Sequence, residues 1–140
     1  MIRRKNPREP GQGLVEFALA APVVFLVLLG LIDGGRLIFI NNEMAEAARE
    51  GARWGSLQGR AAEEVANNNT AVSDLVRSRI VVTPAPTVEL ICTGAGAVDD
   101  CDGGELLTVR VTSSVSAITP LISDIIGPLE LISESQMTIR

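Results

Sequence analysis

Histidine and tyrosine are absent from the 140 residues, and the aromatic side chains amount to Phe17, Phe25, Phe39 and Trp54. Without histidine the chain lacks the commonest general base and the commonest zinc ligand, which disfavours triad hydrolysis and most transition-metal chemistry. Stacking platforms are scarce, and 17 acidic residues outnumber 12 basic ones for a formal net charge of −5. That balance argues against nucleic acid as a partner. The adjacent acids Glu63 and Glu64 lie on a polar helical stretch with neither a basic nor a nucleophilic neighbour, and no other cluster suggests catalysis. The expectation is therefore a chain that is not an enzyme and needs no cofactor.

What is present is unevenly spread. Residues 1–11 hold Arg3, Arg4, Lys5 and Arg8 against Glu9, a net +3, which leaves −8 for the other 129 residues. Directly after this basic head, Leu14 to Ile32 form a run of 19 residues whose only charge is Glu16. As a helix it is about 28 Å long, close to the ~30 Å hydrocarbon thickness of a bilayer. The apolar residues show no periodicity, a pattern that suits lipid or a bundle interior on every face. A basic flank before a single span places the N-terminus in the cytoplasm and the rest of the chain outside. Two other readings compete. A secretory signal peptide would have a shorter core and a small-x-small site after it, where this chain has Asp33-Gly34-Gly35-Arg36. A buried core helix of a soluble protein is the other, against which stands the missing periodicity between Phe17 and Ile32.

A carboxylate near the start of such a span is costly, and a simple anchor has no need of it. Glu16 stands in Gly11-Gln12-Gly13-Leu14-Val15-Glu16-Phe17. This resembles the class III signal of type IV pilin-like proteins, in which a prepilin peptidase cuts after glycine and glutamate follows at the fifth mature position. Counting back from Glu16 puts the cut between Gly11 and Gln12; a cut after Gly13 would make the glutamate third. The α-amine created on one subunit would then neutralise Glu16 of a neighbour, rewarding correct docking and register in a low-dielectric bundle. The plainer alternative is a glutamate snorkelling to the interface.

Beyond the span, Leu37 to Gly55 contain no proline, and Leu37, Ile40, Met44 and Ala48 recur at helical spacing. The pattern predicts an amphipathic continuation, with a bend at Gly34-Gly35. Ala47, Gly51 and Gly55 lie four apart, as do Ala48 and Ala52, and Gly30 and Gly34. Such spacing permits close helix–helix approach, either between subunits or against the chain's own outer domain. Glu46–Arg49 and Glu50–Arg53 are expected as i, i+3 pairs.

Three blocks together resemble the TadE-like pseudopilin family of tight-adherence (Flp-type) pilus systems. They are Gly11-x4-Glu16-Phe17 with its Pro22-containing apolar helix, Gly30-Leu31-Ile32-Asp33-Gly34-Gly35-Arg36-Leu37, and Ala45-Glu46-Ala47-Ala48-Arg49-Glu50-Gly51-Ala52-Arg53-Trp54. The resemblance covers about residues 8–56. It implies a pilin-like subunit of the bacterial cytoplasmic (inner) membrane that helps assemble, or joins, an adhesive surface filament. The partners it implies are prepilin peptidase, other pilins and pseudopilins, and the inner-membrane assembly platform. Because the family's major pilins are much shorter, it also implies a minor role. The family commonly has a second acid where Gly34 stands here.

Residues 57–140 contain no aromatic residue. Arg60–Asn67 and Val72–Arg79 read as short helices, and Thr87–Cys92, Leu106–Val115 and Leu129–Ile139 as strands, separated by Pro84, Pro86, Pro120 and Pro128. The expected fold class is α+β, a long N-terminal helix followed by a small antiparallel-sheet domain. The expected organisation is a leader over 1–11, a transmembrane helix over 12–33, an amphipathic extension over 34–56 and an extracytoplasmic domain over 57–140. Cys92 and Cys101 flank eight residues joining two strands, and on the oxidising side of the membrane a disulfide is favoured over two free thiols. Asp99, Asp100, Asp102 and Glu105 around Gly103-Gly104 form a weak calcium pattern without EF-hand spacing; a solvated acidic turn is the simpler reading. The function reading that competes with the pseudopilin is accordingly a signal-anchored extracytoplasmic binding module with calcium as a candidate ligand.

Overall fold

The computed structural model describes residues 11–57, 61, 62, 64, 70–93, 101 and 103–140. One helix, α1, runs from Gln12 to Gly55, 44 residues and about 66 Å at 1.5 Å per residue. It passes through Pro22, a residue that removes one ladder hydrogen bond but is tolerated in helices of apolar surroundings. It also passes unbroken through Gly34 and Gly35, so no break in the helix marks the expected bend. At its end Ser56 Oγ donates to the Arg53 carbonyl at 3.0 Å.

The second helix, α2 (Ala71–Arg79), is followed by strands β1 (Thr87–Thr93) and β2 (Leu106–Val115), the short helix α3 (Pro120–Ile126) and strand β3 (Leu129–Thr138). The three strands form one antiparallel sheet in the order β1-β2-β3. The fold is α+β, with every expected strand within a residue of its expected bounds. Of the expected helix over 60–67, residues 61, 62 and 64 are helical and the others lie outside the described residues.

Period-2 alternation on β2 decides how the sheet packs. Leu107, Val109, Val111, Ser113 and Val115 are buried on one face, where α1 presents Ile40, Met44, Ala47, Ala48 and Ala52. The opposite face is polar: Arg110 sits between Glu89 at 3.6 Å and Glu134 in the strands on either side. Its pKa is raised, chiefly by the Glu134 hydrogen bond and charge, so this cation stays charged at any physiological pH. Among the described residues the buried core cluster holds no aromatic side chain; Met44 and Leu107 are its largest fully buried members. A core of small aliphatic groups is packed by bringing backbones close, and two glycines of α1 make this approach. A Cβ on Gly51 would lie 2.5 Å from Val76 Cγ2, and one on Gly55 would lie 2.8 Å from Leu107 Cδ2.

Two acidic residues take roles that their local sequence does not announce. Glu64 reaches the start of α2, accepting from the Val72 and Ser73 backbone N–H groups at 2.8 and 3.2 Å and from the Ser73 hydroxyl. A carboxylate there satisfies otherwise unpaired donors and complements the helix dipole. Glu64 therefore has partners, contrary to the sequence reading; Glu63 lies outside the described residues. Glu50 pairs with Arg79 of α2 at 2.8 Å rather than with Arg53, tying α2 to α1.

Candidate functional site

The residues singled out by sequence fall into three places along α1. At its start, Gly11 has φ +133°, a region that side-chain-bearing residues rarely adopt, and its carbonyl accepts from Leu14 and Val15 N–H at 3.0 and 3.2 Å. The helix thus begins at Gln12, the residue expected to follow the peptidase cut. Glu16 and Phe17 project from the first turns into open space, and Glu16 makes no ion pair among the described residues. The helix contains an 18-residue window long and apolar enough to cross a membrane, none of it buried inside the chain. That exposure removes the reading of a core helix, whose apolar surface would be covered.

In its middle, α1 carries an arrangement that sequence reasoning did not find. Asp33, at the end of the apolar run, is 6% exposed. Its two carboxylate oxygens accept the backbone N–H groups of Ile118 and Thr119 at 2.9 and 3.1 Å. One turn further, Arg36 Nη1 donates to the Ser116 carbonyl at 3.0 Å. The acid takes backbone donors and the base a backbone acceptor, so segment 116–119 is held on α1 from both sides. The segment leads into α3, which has Pro120 at its first turn and Gly127 at φ +73° just past its end. Proline at the start and glycine after the end are a recognised helix signature, of which the sequence reading takes only Pro120, as a break between segments. α3 lies against the last turn of the apolar run: a Cβ on Gly30 would sit 3.9 Å from Ile122 Cδ1. An apolar cleft of about 250 Å³ opens between them, with Gly34 and Leu37 also on its wall.

Replacing Asp33 with alanine leaves two backbone N–H groups without their acceptor. Hydrogen exchange at Ile118 and Thr119 is expected to accelerate, with the effect spreading into α3, while Asp33→Asn retains part of the protection. Unchanged exchange in Asp33→Ala would contradict the clamp.

In the outer half of α1, Ala47, Ala48, Gly51, Ala52 and Gly55 are buried in the chain's own core. Their small size serves the contact with α2 and β2, the intramolecular use of the small-residue spacing. Gly34 has no atom within 4 Å of its Cβ position. The disulfide Cys92–Cys101 is formed, with 5.3 Å between the Cα atoms, and joins the end of β1 to the approach to β2. Of the acidic quartet, Asp99, Asp100 and Asp102 lie outside the described residues. Among the described residues no group of three His, Cys, Asp or Glu side chains is arranged to hold a metal ion.

These features define a class: a long helix with an exposed, membrane-length apolar half, whose other half is the spine of a disulfide-linked α+β unit. A family model described as TadE-like protein matches residues 11–53, the apolar run together with the Asp33–Arg36 block and most of the small-residue stretch. No curated protein and no solved structure matches the chain. The matched stretch is similar to the TadE-like family, in agreement with the resemblance carried by the three sequence blocks.

Proposed function

We propose that this chain is a minor pseudopilin that takes part in assembly of a tight-adherence (Flp-type) pilus apparatus. In this reading residues 1–11 are a leader removed by prepilin peptidase on the cytoplasmic side, and residues 12–33 span the inner membrane. The remainder lies outside, meeting other pilins, pseudopilins and the assembly platform. The TadE-like match supports the pilus setting.

The observation that carries the reading is Glu16. It is the only charge in a 19-residue apolar run, stands on the fifth residue of a helix that starts at Gln12, and is exposed without an ion-pair partner among the described residues. A carboxylate at that depth is costly until an opposite charge meets it. The α-amine freed on a neighbouring copy or another pilin supplies that charge, and the charge pair then sets the register of helix packing. Glu16→Val is expected to leave membrane insertion and leader cleavage largely intact while reducing incorporation into filaments. Recovering the variant in sheared filaments at the wild-type level would refute the pairing role.

A further inference from the structure

We infer that α3 and its flank form a lipid-embedded foot by which the outer unit rests in the leaflet from which α1 emerges. This rests on the membrane-spanning reading of residues 12–33. Ile118, Ile125 and Ile126 are 67%, 76% and 57% exposed. At 3.6 residues per turn Ile122, Ile125 and Ile126 share an arc of about 100°, with Ser123 and Asp124 on the other side. Ile122 faces Gly30, which precedes Asp33 by three residues, about 5 Å along the helix axis. The isoleucine face is thereby continuous with the exposed apolar surface of the span, at the depth of about 5–10 Å that interfacial helices reach.

Charge and clamping agree with an apolar mode of contact. Residues 116–129 contain one charged side chain, Asp124, and no base, so attraction to anionic headgroups cannot be what seats the foot. Asp33 and Arg36 satisfy the Ile118 and Thr119 N–H groups and the Ser116 carbonyl, at a depth where unpaired backbone is penalised. They also fix the foot to the span, so the outer unit meets the membrane in one orientation rather than swinging on α1.

Single cysteines read by an environment-sensitive fluorophore test the foot in the full chain, because the native pair is oxidised. Ile125→Cys and Ile126→Cys report the foot and Val24→Cys the span. Val81→Cys is the apolar control: Val81 is 88% exposed and follows Arg79, which is bonded to Glu50, about 25 Å up the helix from Asp33. In phosphatidylcholine vesicles carrying a shallow nitroxide-labelled lipid in one set and a deep one in another, shallow quenching at 125 and 126 is expected to exceed that at 81 several-fold, independent of salt, and the deep lipid reads the label at 24. Quenching at 24 with 125 and 126 behaving like 81 overturns the foot and leaves the span standing. No quenching at 24 overturns both. Labels at 125 and 126 shielded from lipid at high protein density, and released to water on dilution, would assign the face to a second copy and equally overturn the lipid foot.

Discussion

Gly51→Val is expected to destabilise the outer unit by about 3 kcal/mol, a large share of the ~5–15 kcal/mol that holds a domain together. The Cβ alone would fall 2.5 Å from Val76 Cγ2 and 3.5 Å from Val109 Cγ1, and the branched methyls have no space to enter. Neither neighbour can yield easily: Val76 and Val109 are fully buried, one on α2 and the other on the central strand. The substitution therefore pushes α2 and β2 away from α1. In a thermal melt of the detergent-solubilised protein the midpoint should fall on the order of 10–20 °C. Gly34→Ala is the matched control, since nothing lies within 4 Å of its Cβ position and alanine is the better helix former. It should melt at or slightly above the wild-type temperature. Equal melting of Gly51→Val and wild type would mean that α1 does not pack on α2 and β2 at this distance.

The second large effect concerns Cys92 and Cys101, nine positions apart. Closing so short a loop stabilises by somewhat under ~3 kcal/mol on loop-entropy reasoning. Both residues are buried members of the core cluster, and residues 57–140 contain no aromatic ring to compensate. Replacing both with alanine, or reducing the wild type, should lower the melting midpoint by about 10 °C. A midpoint insensitive to reductant would contradict the expectation that this core depends on the cross-link.

What the sequence discloses and what it hides divide along chain separation. The apolar run, its basic flank and the strand β2 are local patterns, visible as an uncharged stretch or as Leu107-x-Val109-x-Val111. The disulfide was legible because the two cysteines flank a short connection between strands. Asp33 was not, because its partners Ile118 and Thr119 are 85 and 86 residues away and only the fold brings them together. α3 was missed although Pro120 and Gly127 bracket it, since seven residues are too few for periodicity to register. The spacing of Ala47, Gly51 and Gly55 announced close packing without naming the partner. The structure supplies β2 and α2 for that face and leaves other exposed apolar surface, Ile38 and Phe39 among it, on α1.

Co-expression with an active prepilin peptidase, followed by intact-mass measurement of the membrane-extracted chain, tests the proposed processing directly. The mass should correspond to a protein beginning at Gln12, and a Gly11→Leu variant should retain residues 1–11. An unshifted wild-type mass in membranes where the peptidase cleaves a known substrate would contradict a processed pseudopilin.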